Sequence, residues 1–195
     1  MPCVRLDKVE RAVNRILRDI PGVVSSDVQG KEVALCESVG MLGEVRFDTY
    51  EGANEVIHIE DYMDVGHVFL RKVSDVAETR GIPVIISFDP VFPKRINAIE
   101  IPSCNVSIVL DKNVLENEEK TIKMQKYIDN NAISRDRKKV RLLLGLKKEL
   151  IDAACREFGC ASEYHFELEK IYSQAMNFSE KEKFTQDLCA KLFSE

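Results

Sequence analysis

The residues best suited to chemistry sit close together about a third of the way along the chain. Glu60, Asp61 and Asp64 fall within five positions, and after Val65 come Gly66, His67 and Val68. Three carboxylates at that spacing offer the hard oxygen ligands that a divalent cation takes. The same residues commonly form a solvated acidic loop, which is the reading adopted, with a metal site of Glu60, Asp61 and Asp64 as the alternative. His67 reads as a helix-terminus or surface histidine before a catalytic base. A second concentration of charge is basic: Arg135, Arg137, Lys138, Lys139 and Arg141, then Lys147 and Lys148, around Val140, Leu143 and Leu144. Lys and Arg around an apolar stripe form the wet face of a helix. The alternative is a patch for phosphate groups or an acidic partner surface, though few aromatics interleave to make a single-strand stacking platform.

The remaining reactive types form no recognisable site. Cys3, Cys36, Cys104, Cys155, Cys160 and Cys189 make no C-x-x-C pair beside a second pair, so zinc is not expected and reduced, mostly buried thiols are. His58, His67 and His165 are too dispersed for a ligand set or triad. Over 195 residues, 45% apolar and 31% charged types describe a globular chain and exclude a disordered one. With 28 Lys and Arg against 33 Asp and Glu, the net charge of −5 argues against wholesale nucleic-acid coating. No apolar run approaches the roughly 20 residues of a membrane span, and Met1-Pro2-Cys3-Val4-Arg5 lacks the apolar stretch of a signal peptide. A cytoplasmic protein is expected.

The elements that must position these residues follow from hydrophobic period. Leu6, Val9, Val13, Ile16, Leu17 and Ile20 predict a helix, with Asp7 and Glu10 in capping-box relation and Pro21-Gly22 as its stop. Glu32 to Cys36, Glu44 to Phe47 and Glu55 to Ile59 read as short strands, broken at Gln29-Gly30, Gly40, Gly43 and Glu51-Gly52. Val65, Phe69, Val73, Val76 and Ala77 share one helical face that ends at Gly81. The apolar run Pro83 to Phe88 then predicts a strand covered on both sides, and strand, helix, strand in so few residues predicts a parallel βαβ unit. Val106 to Leu110 adds a strand ending in Asp111, where a strand-terminal Asp reads first as a turn former. Beyond it a polar connector, Asn113 to Asn131, holds a helical stretch near Lys120 to Ile128. The stripe Val140 to Phe158, a segment around Tyr164, Leu168, Ile171 and Tyr172, and a Ser179/Glu182 capping box before Phe184 predict a set of antiparallel helices.

Phe88-Asp89-Pro90, Asn97-Ala98-Ile99-Glu100-Ile101-Pro102 and Val106-Ser107-Ile108-Val109-Leu110-Asp111 resemble a stretch of a family of predicted bacterial P-loop ATPases built from two related units. Tyr164 to Tyr172 with Ala175-Met176-Asn177-Phe178 resembles the helical end of one such unit. The match covers roughly residues 55 to 195. It implies a P-loop-type parallel sheet and a phosphate loop between the Ile59 strand and the following helix, with Asp111 in a Walker-B-like position. Against G-x-x-x-x-G-K-[ST], only Gly66 survives there. The first Gly is Asp61, the phosphate-binding Lys is His67, and the Mg²⁺-ligating hydroxyl is Val68. Carboxylates at this position oppose a triphosphate by about 3 kcal/mol per charge pair at ~5 Å and an effective dielectric near 20. A helix N-terminus returns only ~0.3–1 kcal/mol to an anion.

The expectation is thus an α/β chain with a mainly parallel, P-loop-NTPase-like sheet and a C-terminal helical extension. Residues 1–52 form its N-terminal helix and short strands, 53–111 the degenerate P-loop-like core, and 112–195 the extension. Its degenerate phosphate loop comprises Asp61, Asp64, Gly66, His67 and Val68. The expected role is a non-hydrolysing regulatory or scaffold module without cofactor, bound to another protein or to itself. The alternative is a nucleotide-binding protein with weak ATPase activity that uses ATP and Mg²⁺.

Overall fold

The structure is a computed structural model that describes residues 3–20, 32–47, 50, 52–111, 120–134 and 136–193. In chain order the elements are α1 (Leu6–Ile16), β1 (Glu32–Val33), β2 (Glu37–Gly40), β3 (Gly43–Arg46), β4 (Glu55–Glu60), α2 (Gly66–Thr79), β5 (Ile85–Phe88), β6 (Ile96–Ile101), β7 (Val106–Asp111), β8 (Thr121–Lys123), α3 (Asn130–Ser134), α4 (Arg137–Ala175) and α5 (Phe178–Phe193). A 3-10 turn, Met124–Tyr127, follows β8.

The main sheet is mixed, in the order β1-β5-β6-β7-β4-β8, and β2 and β3 form a separate antiparallel hairpin. β1 runs parallel to β5, and β4 runs parallel to both β7 and β8. β6 is antiparallel to both its neighbours. This corrects the expectation of a mainly parallel, P-loop-NTPase-like sheet. Inside the four-strand centre β5-β6-β7-β4, two of the three pairings are antiparallel.

Connection length supplies the reason, since a parallel crossover needs a dozen or more residues. Only residues 89–95 join β5 to β6, and only 102–105 join β6 to β7. Asp89 organises the first link by accepting the backbone N–H groups of Val91 and Phe92, at 2.8 Å each. The second closes through Asn105 at φ 52°, a left-handed conformation that Asn tolerates. β6 and β7 are consequently inserted between β4 and β5, so the predicted βαβ strands share a direction without being neighbours.

Side-chain alternation assigns the two faces. Ile59, Ile86, Ile99 and Ile108 join the core under α1 and α2, while Val56, Ala98 and Val109 face the opposite way toward Cys36 and Tyr50. On α2, Phe69, Leu70, Val73 and Ala77 are fully buried, each large side chain contributing about 1.5–3 kcal/mol. Gly81, at φ 65°, ends that helix with the Ile82 N–H donating back to the Ala77 carbonyl. On α1, Val9 and Val13 are buried, and Leu17 follows them just past its end. No side chain caps α1, so the Asp7/Glu10 box does not form, and Asp7 instead pairs with Arg11. The expected stop at Pro21-Gly22 and the break at Gln29-Gly30 lie outside the described residues.

The carboxy-terminal third differs most from expectation. In place of a helix near Lys120 to Ile128 there is β8, paired with β4, and the 3-10 turn. In place of antiparallel helices there is one helix of 39 residues, α4, followed by α5. α4 runs straight through Gly145 and Gly159, because an interior Gly costs only ~1 kcal/mol and no Pro interrupts it. The box at Ser179/Glu182 is replaced by Asn177, whose side-chain oxygen accepts the Glu180 N–H at 3.2 Å. Neither helix contains a buried residue. α4 touches the rest of the chain along β2 and β3.

Candidate functional site

The expected phosphate loop is the link between β4 and α2, and its geometry follows from one side chain. Asp61 Oδ1 accepts the backbone N–H groups of Val65 at 3.0 Å and Gly66 at 2.7 Å. Those are the amides at the N-terminus of α2, where an anion would otherwise dock. To reach them the chain turns through Met63 at φ 57° and Asp64 at φ 60°. Two successive left-handed non-glycine residues cost about 1–2 kcal/mol each, so other contacts must hold the turn.

Those contacts come from Asp64. Its carboxylate accepts from Arg95 through Oδ2 and from Lys147 Nζ at 2.9 Å through Oδ1, and all three side chains are 26% exposed. Burial opposes ionisation of Asp64, but the hydrogen bonds and charges of Lys147 and Arg95 outweigh it and hold the carboxyl below its ordinary value. Both cations also lie over the Phe92 ring, Arg95 at 4.5 Å and Lys147 at 4.9 Å from its centre. One charged joint thus ties the α2 loop, the β5–β6 connection and α4 together.

The fit to a nucleotide is poor at each position. The Val65 and Gly66 amides that would cradle a phosphate are taken by Asp61. Gly66 is required for packing: a Cβ there would lie 2.1 Å from Leu110 Cδ1. Burial, then the nearby Arg95 charge, push the His67 imidazole below its ordinary value, so at pH 7 it is a neutral group where a cation is needed. Val68 donates its backbone N–H to the Val65 carbonyl and has no hydroxyl to offer. Asp111 pairs in register with Glu60 across β7 and β4, and its side chain lies outside the described residues.

The carboxylates of the alternative metal site are each engaged separately. Glu60 pairs with Lys123 at 3.5 Å, Asp61 with the two amides, and Asp64 with its two cations. Among the described residues no three His, Cys, Asp or Glu side chains gather to hold an ion. In the basic run, Arg137, Lys138, Lys139 and Arg141 are exposed, Arg137 reaches the Tyr62 hydroxyl at 3.3 Å, and Arg135 lies outside the described residues. All six cysteines are free, but only Cys36 is buried, against the expectation of mostly buried thiols.

Two features went unread in the sequence. A cleft of about 750 Å³ opens between the Asp61–Asp64 turn, Gly43 and Glu44 of the hairpin, and Leu144, Lys148 and Ile151 of α4. On the far face of the sheet the Tyr50 hydroxyl meets Ser87 Oγ at 2.5 Å, which in turn donates to the Ala34 carbonyl. Burial pushes the Tyr50 phenol up to about 12 and raises the Cys36 thiol, so both stay neutral where Ala34, Cys36 and Tyr50 meet the sheet. Lys147 carried a usable signal, since it falls on the helical face of Leu144 and Ile151, where a cation needs a partner. No family model, no curated protein and no solved structure matches the chain. Among the described residues, no helix is long and apolar enough to cross a membrane.

Proposed function

We propose that this chain is a non-enzymatic assembly module, an α/β body that holds out a helical arm for docking to protein. The observation that carries the reading is the arm itself. α4 and α5 contain no buried residue, yet Leu150 is 71% exposed, Tyr164 73%, Ile171 67% and Phe184 69%. Scattered apolar side chains on a surface need no explanation, but a run of this length marks an interaction surface. The self-filled N-terminus of α2 supports the same reading, because Asp61 supplies internally the negative charge that a ligand would bring.

The test has two arms. A nucleotide with a dissociation constant near 10 μM, present at 1 mM, stabilises a protein by about 2.7 kcal/mol, several degrees for a chain of this size. Mg-ATP and Mg-GTP are expected to give no such shift, and a clear one refutes the non-enzymatic reading. A photocrosslinker at Ile171 is expected to capture protein in the cells that make this chain, whereas one at Arg71 on the body is not. Equal capture from both positions, or none from Ile171, removes the arm from the function.

A further inference from the structure

We infer that the uncovered side of α4 is closed by a second copy of this chain, packed antiparallel, so that the arm is one half of a two-helix interface. The inference rests on the assembly reading above and names its partner.

The first support is the shape of the stripe. At 100° per residue, Leu143, Leu146, Leu150, Tyr164, Leu168 and Ile171 lie along one side of the 39-residue helix, and each is between 45% and 73% exposed. The side that lines the cleft against the body, from Leu144, Lys147 and Ile151 to Cys155, is about a quarter to half a turn away, with Arg156 at its edge. A partner helix therefore lies along the stripe without displacing the body.

Area is the second support. A half-exposed Leu or Tyr leaves on the order of 100 Å² of surface in water. Six of them with the flanking stems bring each copy to about the 800 Å² that a standard interface takes from one partner.

Charge then selects the orientation. Glu149, Arg156, Glu163 and Lys170 recur every seven residues beside the stripe and alternate in sign. Two copies placed antiparallel about a two-fold axis between Gly159 and Cys160 set Glu149 against Lys170 of the second copy and Arg156 against its Glu163. Both pairs are centred on the same point of the helix, and the symmetry makes each pair twice. In a parallel pair the same four positions face Ala154, Ala161, Leu168 and Ala175, which offer no charge. Glu157 and Glu167 interrupt the stripe, the first of them near the axis, and polar residues at such positions specify register at some loss of stability.

The test uses the full chain in sedimentation velocity from 1 to 100 μM. The expected result is a concentration-dependent monomer–dimer equilibrium that shifts to monomer in a Leu150→Glu, Tyr164→Glu variant with an unchanged body. Two further variants read the orientation. Glu149→Lys with Glu163→Lys makes the four flanking positions all positive, and Arg156→Glu with Lys170→Glu makes them all negative. Each alone is expected to dimerise at least tenfold more weakly than the parent, and an equal mixture is expected to recover at least tenfold. A parent chain that stays monomeric at 100 μM overturns self-pairing, while crosslinking of the arm to a different protein would leave the assembly reading standing. A dimer indifferent to the charge variants overturns the antiparallel arrangement.

Discussion

Asp64→Asn isolates the charged joint with little change of shape. Asn keeps the size, an acceptor oxygen and the tolerance for φ 60° that this turn demands, and removes only the charge shared by Arg95 and Lys147. Exposed pairs contribute about 0–1 kcal/mol, and removing one partner of a buried pair costs about 3–5 kcal/mol. With 26% exposure on all three side chains the joint lies between these limits. Two charge-assisted hydrogen bonds weaken, and two cations over the Phe92 ring lose the anion between them. The expected loss is about 2 kcal/mol in urea unfolding at pH 7, or roughly 4–8 °C in Tm. The pH dependence follows from the lowered carboxyl. Its stabilisation is complete above the unfolded value of about 3.9 and is lost as pH falls through the lower folded value. The gap between parent and variant should therefore hold from pH 7 to 5 and narrow only in stronger acid. A difference below ~0.5 kcal/mol at pH 7, which is what an ordinary surface site gives, or a gap that persists undiminished at low pH, refutes the joint.

Gly66→Ala forces a methyl group against Leu110 and should cost about 1–3 kcal/mol, with partial rescue by Leu110→Ala, read by the same unfolding curves. His67 has its folded value lowered, so the unfolded chain takes up the proton first as pH drops below about 6.5. Parent Tm should fall between pH 7 and the lower folded value, and His67→Gln should flatten that slope, whereas parallel profiles would remove His67 as its source. Reversing Arg137, Lys138 and Arg141 to Glu should move stability by no more than about 0.5 kcal/mol, because all three are exposed. Nucleic-acid binding present in the parent and absent in that variant would show the patch to be a binding surface.

Local period made some elements legible and topology hid others. The helix carrying Phe69, Val73 and Ala77 packs one face on one sheet, so its spacing and the Gly81 stop are written in adjacent residues. β6 is not legible in the same way, because Asn97 and Glu100 interrupt its apolar residues three positions apart, which fits neither strict alternation nor a continuous apolar run. The shortness of the links 89–95 and 102–105 nonetheless forbade a parallel sheet at the centre. Helix endings misled in the other direction: Gly159 invites a break, but no residue of α4 is buried, so no tertiary packing forces the helix to stop there. At the candidate site the carboxylates were found and their partners were not. Arg95 and Lys147 stand 31 and 83 positions from Asp64, beyond any periodicity, and only the assembled sheet brings them together.

The way α4 is rooted has a mechanical consequence. Between Lys147 at the joint and Ala175 the helix extends for 28 residues, a lever of about 42 Å. A tilt of roughly 10° at the root sweeps the tip through about 7 Å, so small adjustments at Asp64 are geared up into large displacements at the far end. The gearing also runs backwards. A load on the tip reaches the root as a torque, and the root is braced by the left-handed turn at Met63 and Asp64 that also plugs the start of α2. Whatever grips the distal arm thereby pulls on the β4–α2 loop, some forty ångströms from the grip.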